Sequence, residues 1–283
     1  MNYEDRIRLF RKDHTYKDIS IDGTTFHYLL CGEGTNTLVF LAGGLGVSEL
    51  WFPYIEALEG EYRILTIDYP MEYRTNQTLA DGIKKLLDAL LIEEAIFIGT
   101  SFGGYLAQII ARNHPKKTQA LCIFSTAGLT ENTLNRLRVR ARHANVLLFI
   151  MRTVPYNWLK PVFRRACMRH ITNATNEEYA FIDDLFRSIF KGYTRQIDLH
   201  MTELLIDITH QPTCSPKEFD YLDGKILLIL PKDDDSFTPD MQNELIALMP
   251  NPVVVKNMDA GHLATILRID DYLMHIRNFL SDL

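Results

Sequence analysis

A chain of 283 residues with 47% hydrophobic and 23% charged residues has an ordinary globular balance, which excludes a disordered chain. The length suits one large domain, or one domain carrying an insertion, with a core able to cover a sheet on both faces. A net charge of −6 excludes a general nucleic-acid binder, whose surface would be basic overall. Cys31, Cys122, Cys167 and Cys214 form no C-x-x-C pair and read as reduced thiols, neither a disulfide frame nor a zinc site. The start, Met1-Asn2-Tyr3-Glu4-Asp5-Arg6, is charged and lacks an apolar signal core. No uncharged apolar run reaches about 18 residues. The expectation is a cytoplasmic protein without a membrane span.

After a charged N-terminal arm, Asp18–Ile21 and Thr25–Leu30 flank Asp22-Gly23, a two-residue hairpin signal. Thr37–Leu41 reads as a buried strand, followed by a glycine-rich turn and an amphipathic stretch, Glu49–Leu58. Strand Arg63–Ile67, helix Leu79–Leu91, strand Ala95–Ile98, helix Tyr105–Arg112 and strand Gln119–Phe124 come next. This alternation predicts parallel βαβ units with helices on both faces of the sheet. From residue 130 to 216 the pattern is helical without strands. It then resumes with strand Ile226–Leu230, helix Met241–Met249, strand Val253–Val255 and a last helix from Leu263 to Leu280. The expected organisation is an α/β core, 1–129 and 217–283, with an all-helical insertion at 130–216.

Ile98-Gly99-Thr100-Ser101-Phe102-Gly103-Gly104 places G-x-S-x-G between a strand and a helix. A strand turning into a helix over one residue strains that residue's backbone and exposes its side chain. The residues two before and two after crowd each other and need to be glycine. The serine hydroxyl then sits beside the positive end of the helix. The competing reading is a plain strand-to-helix turn with an ordinary serine.

On this motif and its setting the chain resembles the α/β-hydrolase superfamily over nearly its whole length, the helical insertion matching that family's cap. The resemblance implies an α/β-hydrolase fold, a mostly parallel sheet flanked by helices, with a triad in the order nucleophile, acid, histidine. Ser101 is then the nucleophile, and His262, in Met258-Asp259-Ala260-Gly261-His262 after the last strand, the general base. For the acid two rulers disagree: counting from the end of strand Ile226–Leu230 gives Asp234, and counting back from Pro239 gives Asp235. The strand end, fixed by the sheet, favours Asp234. The oxyanion donors implied are the backbone N–H groups of Gly44 and Phe102.

Two positions depart from the family pattern. Ala42 stands where relatives often carry a histidine that braces the oxyanion loop. Asp68-Tyr69-Pro70-Met71 replaces a glycine-rich turn, with Asp68 read as structural. The glycine turn lacks G-x-G-x-x-G spacing and a Walker A lysine, so a nucleotide site is disfavoured. Nothing clusters as ligands for a metal or an organic cofactor.

Residues 131–170 hold nine Lys or Arg and one acid, Glu131, interleaved with Val146–Met151 and Trp158. This basic, apolar insertion reads either as a solvated face over an apolar pocket or as a contact for a membrane surface or an anionic substrate. The implied function is serine hydrolysis of an ester or related acyl bond in a small to medium, partly apolar substrate. The alternatives are a carbon–carbon bond hydrolase with the same triad and a non-catalytic binding protein of the same fold. Dehalogenase chemistry would want aspartate at position 101, and proline aminopeptidase an acidic amine-binding cluster in the insertion. The oligomeric state is left open by the sequence.

Overall fold

The computed structural model describes residues 3–283. The chain opens with helix α1 (Tyr3–Asp13), where the sequence reading has only a charged arm. Acidic Glu4 and Asp5 in its first turn and Arg11 and Lys12 in its last match the helix dipole. Its apolar Ile7 and Phe10 are buried.

Strands β1 (Lys17–Ile21), β2 (Thr24–Cys31), β3 (Thr37–Leu41), β4 (Arg63–Asp68), β5 (Ala95–Thr100), β6 (Thr118–Phe124), β7 (Ile226–Ile229) and β8 (Val253–Val255) form one sheet in the order β1-β2-β4-β3-β5-β6-β7-β8. β2 pairs antiparallel with β1 and β4, and the remaining pairs are parallel. Asp22 and Gly23 between β1 and β2 both have positive φ, 51° and 82°. That is the backbone a two-residue hairpin turn demands.

A short 3₁₀ turn, Ser48–Trp51, leads into α2 (Phe52–Leu58). Helices α3 (Asn76–Ala89) and α4 (Phe102–Asn113) follow β4 and β5. Between β6 and β7 lie five helices: α5 (Glu131–Arg140), α6 (Ala144–Thr153), α7 (Tyr156–Met168), α8 (Asn176–Gly192) and α9 (Arg195–Ile208). Helix α10 (Pro239–Leu248) joins β7 to β8. The expected last helix is broken into α11 (Ala264–Leu267) and α12 (Ile269–Ser281) at Arg268, whose φ and ψ are −120° and 42°.

The sheet is buried on both faces because alternate strand residues point opposite ways. Val39, Leu41 and Phe97 meet α3, α4 and α10 on one side. Leu38, Phe40, Ile96 and Ile98 meet α1, α2 and α12 on the other. No helix among the described residues is long and apolar enough to cross a membrane.

Candidate active site

The bend from β5 into α4 turns on Ser101, whose φ of 54° and ψ of −117° are strained for a residue with a side chain. Four backbone bonds fix it there. Its N–H donates to Phe124, and its carbonyl accepts from Gly104, Tyr105 and the Thr126 hydroxyl. A serine at this position normally caps the helix with its own oxygen. Here it makes no cap, so the hydroxyl is left for another partner.

The glycines beside it are dictated by backbone approach. A Cβ on Gly99 would overlap the carbonyl of Gly103, and one on Gly103 would overlap the carbonyl of Leu41 in β3. The crowding expected between the two glycines therefore holds for Gly99, whereas Gly103 is constrained by the neighbouring strand.

The Ser101 hydroxyl lies 3.0 Å from Nε2 of His262. Nδ1 of His262 lies 3.0 Å from Oδ2 of Asp234, whose side chain has no exposed surface. With the imidazole proton on Nδ1 and donated to the carboxylate, Nε2 is left as acceptor for the hydroxyl. The other Asp234 oxygen accepts from the backbone N–H groups of Ser236 and Phe237 at 2.8 and 3.3 Å.

The adjacent aspartates have other partners. Asp235 is 2.9 Å from Nδ1 of His170 at the end of α7. Asp233 accepts from Thr172 and Asn173 on one oxygen and from the Gly261 N–H on the other. Burial pushes the Asp233 carboxyl up, but these hydrogen bonds outweigh it and hold it below the usual carboxylate range. His170 also accepts the His262 N–H on its carbonyl, and the two rings stand edge to face at 5.9 Å. Its place in a run of basic helical residues concealed this contact. Gly261 has φ 64°, and a Cβ there would strike the Thr172 hydroxyl and the His170 carbonyl. The His262 loop is thus seated against the segment that follows α7.

Gly44 lies in the turn after β3, and its N–H meets no acceptor among the described residues. The Phe102 N–H, in the first turn of α4, has no intrahelical acceptor. A Cβ on Gly43, beside Gly44, would come within 3.8 Å of the Ser101 Cβ, which places this turn next to the hydroxyl.

The bracing histidine missing at Ala42 has a substitute. The Tyr69 hydroxyl donates to the Ala42 carbonyl at 2.9 Å, and the Tyr193 hydroxyl to the Leu45 carbonyl at 2.7 Å. The two departures noted in the sequence, at 42 and after Asp68, therefore meet in one hydrogen bond. Asp68 itself accepts from Ser48 at 2.6 Å, and burial pushes its carboxyl up.

A cleft of about 1140 Å³ lies behind this turn, lined by Gly46, Val47, Tyr69 and Met201 among others, with α1 and the end of α8 on its far side. Its walls include none of Ser101, Asp234 and His262. Volume alone has no chemistry, so the hydrogen-bonded chain of side chains locates the candidate site. The one cluster of metal-ligating types among the described residues is His14, Cys31 and Glu59. His14 is bonded to Glu59 at 2.7 Å, and burial, with Glu59 beside it, pushes the Cys31 thiol up to about 12.

A family profile described as the alpha/beta hydrolase fold matches residues 36–268. Epoxide hydrolase 4 of Mus musculus is 28% identical over 126 residues, 40% of this chain and 34% of that protein. The 3-oxoadipate enol-lactonase 1 of Acinetobacter baylyi is 26% identical over 160 residues, 53% of this chain and 60% of that protein. The chain thus spans less than two thirds of the length of either relative. Among solved structures, the enol-lactonase from Burkholderia xenovorans LB400 superposes with a TM-score of 0.73 at 20% identity, covering 94% of this chain and all of that one, a likeness of fold.

Proposed function

Because the chain belongs to the α/β hydrolase fold family, we propose that it is a serine hydrolase cleaving an ester or related acyl bond of a small to medium, partly apolar substrate. The observation that carries this reading is the unbroken chain from the Ser101 hydroxyl through His262 to Asp234, 3.0 Å at each link, at a bend that leaves the hydroxyl without a capping role.

In this reading Ser101 Oγ attacks the acyl carbon while Nε2 of His262 takes its proton. The carbonyl oxygen becomes an oxyanion facing the N–H groups of Gly44 and Phe102, each worth on the order of 3 kcal/mol. His262 then gives the proton to the leaving oxygen, and the acyl group stays on Ser101 as an ester. Water, deprotonated by His262, attacks that ester, and the proton returns to Ser101 as the acid departs. Asp234 orients the imidazole and stabilises its cation without itself taking the proton.

The hydroxyl also argues for acyl substrates over the epoxide in one relative's name. Attack by Ser101 on an epoxide carbon would leave an alkyl ether, with no carbonyl for water to attack, and the enzyme would stop after one turnover. A lactone is a cyclic ester, so the enol-lactonase relative falls within the proposed bond class.

The test is labelling by a fluorophosphonate probe together with hydrolysis of short aryl esters, on wild type and Ser101→Ala. Labelling and turnover confined to wild type are expected. If neither protein is labelled and aryl esters are inert, the reading fails in favour of a binding protein. If esters are inert while carbon–carbon substrates turn over, the bond class fails.

A further inference from the structure

We infer that the outer face of α6 and α7 is a docking surface for an anionic lipid bilayer. The two helices follow one another with only Val154 and Pro155 between them. Their inner sides are seated on the protein: Met151, Leu159 and Met168 are buried, with α6 packed on α9 and α7 on α8. Their outer sides carry large apolar groups in water.

Phe149 is 66% exposed and Trp158 71%, with Val146 and Val162 also more than half exposed. On α6, Val146, Phe149 and Ile150 fall at i, i+3 and i+4, and on α7, Trp158 and Val162 at i and i+4, so each set forms one stripe. Single exposed apolar residues are ordinary, but seven of the seventeen large exposed ones among the described residues lie between 139 and 162. That density marks a surface that meets something apolar.

Charge identifies the occupant. Residues 132–176 contain no Asp or Glu, in a chain whose net charge is −6. Two of the arginines have acids supplied by other helices: the exposed Arg152 pairs with Glu203 and the more buried Arg164 with Asp183. Arg142, Arg165 and Arg169 are exposed and make no ion pair among the described residues. Arg165 and Arg169 continue the stripe of Trp158 and Val162 at i+7 and i+11, and Arg142 lies four residues before Val146.

Aromatic groups flanked by unpaired arginines suit the headgroup boundary of a bilayer, where the rings enter the acyl edge and the guanidinium groups meet lipid phosphates. A second copy of the chain suits the face poorly, since a two-fold contact would set the same arginines against each other. The inference does not depend on the hydrolase reading, and its test is made on Ser101→Ala protein so that no lipid is consumed.

Trp158 is one of two tryptophans, and the other, Trp51, is only 3% exposed, so a change in emission on adding vesicles reports Trp158. Vesicles of phosphatidylglycerol mixed with phosphatidylcholine are expected to shift its emission to the blue and to co-sediment the protein, whereas pure phosphatidylcholine leaves it in solution. The double substitution Arg165→Gln, Arg169→Gln should weaken binding on the order of thirty-fold, about fivefold per charge at an anionic surface. Phe149→Ser should weaken it with the charges intact. Both substitutions fall on exposed positions, and unchanged far-UV and near-UV circular dichroism verifies folding. Absence of a shift and of co-sedimentation with anionic vesicles overturns the proposal. So does equal binding to neutral vesicles, or a dimer in solution whose formation buries Trp158.

Discussion

Ser101 sits in a backbone conformation that a residue with a Cβ resists, and it is held there by four hydrogen bonds to its own main chain. Ser101→Gly should therefore raise stability by about 1–2 kcal/mol in urea unfolding while removing activity; lower stability would mean that the bend stores no strain. The three consecutive aspartates separate by partner. Asp234→Asn should lower kcat on the order of 10⁴-fold, as expected when the imidazole loses its orienting carboxylate. Asp235→Asn, at His170, should change kcat by no more than a few-fold, and a reversed order in steady-state kinetics would reassign the triad acid. Tyr69→Phe leaves the buried Ala42 carbonyl without its donor. The loss should appear as a fall in kcat of about tenfold with KM little changed, since in the proposed reaction the turn it steadies faces the transition state more than the bound substrate. A matched fall in thermal stability with kcat intact would make Tyr69 a packing residue only.

Among the elements, the helices inserted between β6 and β7 are tied to the His262 loop by polar contacts at more than one point. Asp233 holds Thr172, Asn173 and Gly261 together. Arg268, at the break between α11 and α12, pairs with Asp259 and with Glu178 in α8. The last helix breaks at the residue that makes these long-range ties, although its sequence continues in helical rhythm. Inside the insertion, Asp198 of α9 is half-buried, with the Tyr156 hydroxyl of α7 donating to it at 3.2 Å. Burial raises its carboxyl to about 6 despite that bond. A carboxyl raised in the folded state favours folding when protonated. Its contribution is therefore complete below the unfolded value near 4 and is lost as pH rises through about 6. Asp198→Asn keeps an acceptor for Tyr156 and removes the charge, so the melting temperature should rise at pH 7.5 and stay unchanged at pH 4. An increase of equal size at both pH values would show that desolvation of the charge is not the cause.

Across the whole molecule, the sequence discloses what is local. Thr37–Leu41 and Ile226–Ile229 are legible because central parallel strands, covered on both faces, read as continuous apolar runs. The Ser101 bend is legible because its steric demand is written within five residues. Asp234 needs the coordinates, since one loop offers three aspartates and only their partners tell them apart. Tyr69 and Tyr193 act on the turn after β3 from 27 and 148 positions away, and no spacing rule links them to it. Helix α1 escapes notice because its charged residues dominate and, among its described side chains, only Ile7 and Phe10 are buried. Those two nevertheless join it to the core on the side of the sheet shared with α2 and α12. Phe10 is 1% exposed, stacks on His14 and tilts against Phe52. Phe10→Ala should cost about 3 kcal/mol or more, the transfer of a buried ring plus the cavity it leaves. None of its ring contacts reaches Ser101, His262 or Asp234, so kcat at a temperature where the variant stays folded should match wild type. Urea unfolding followed alongside ester hydrolysis separates the two quantities. A neutral effect on stability would make α1 an appendage, and a selective fall in kcat would mean that the cleft between α1 and the turn after β3 belongs to the substrate site.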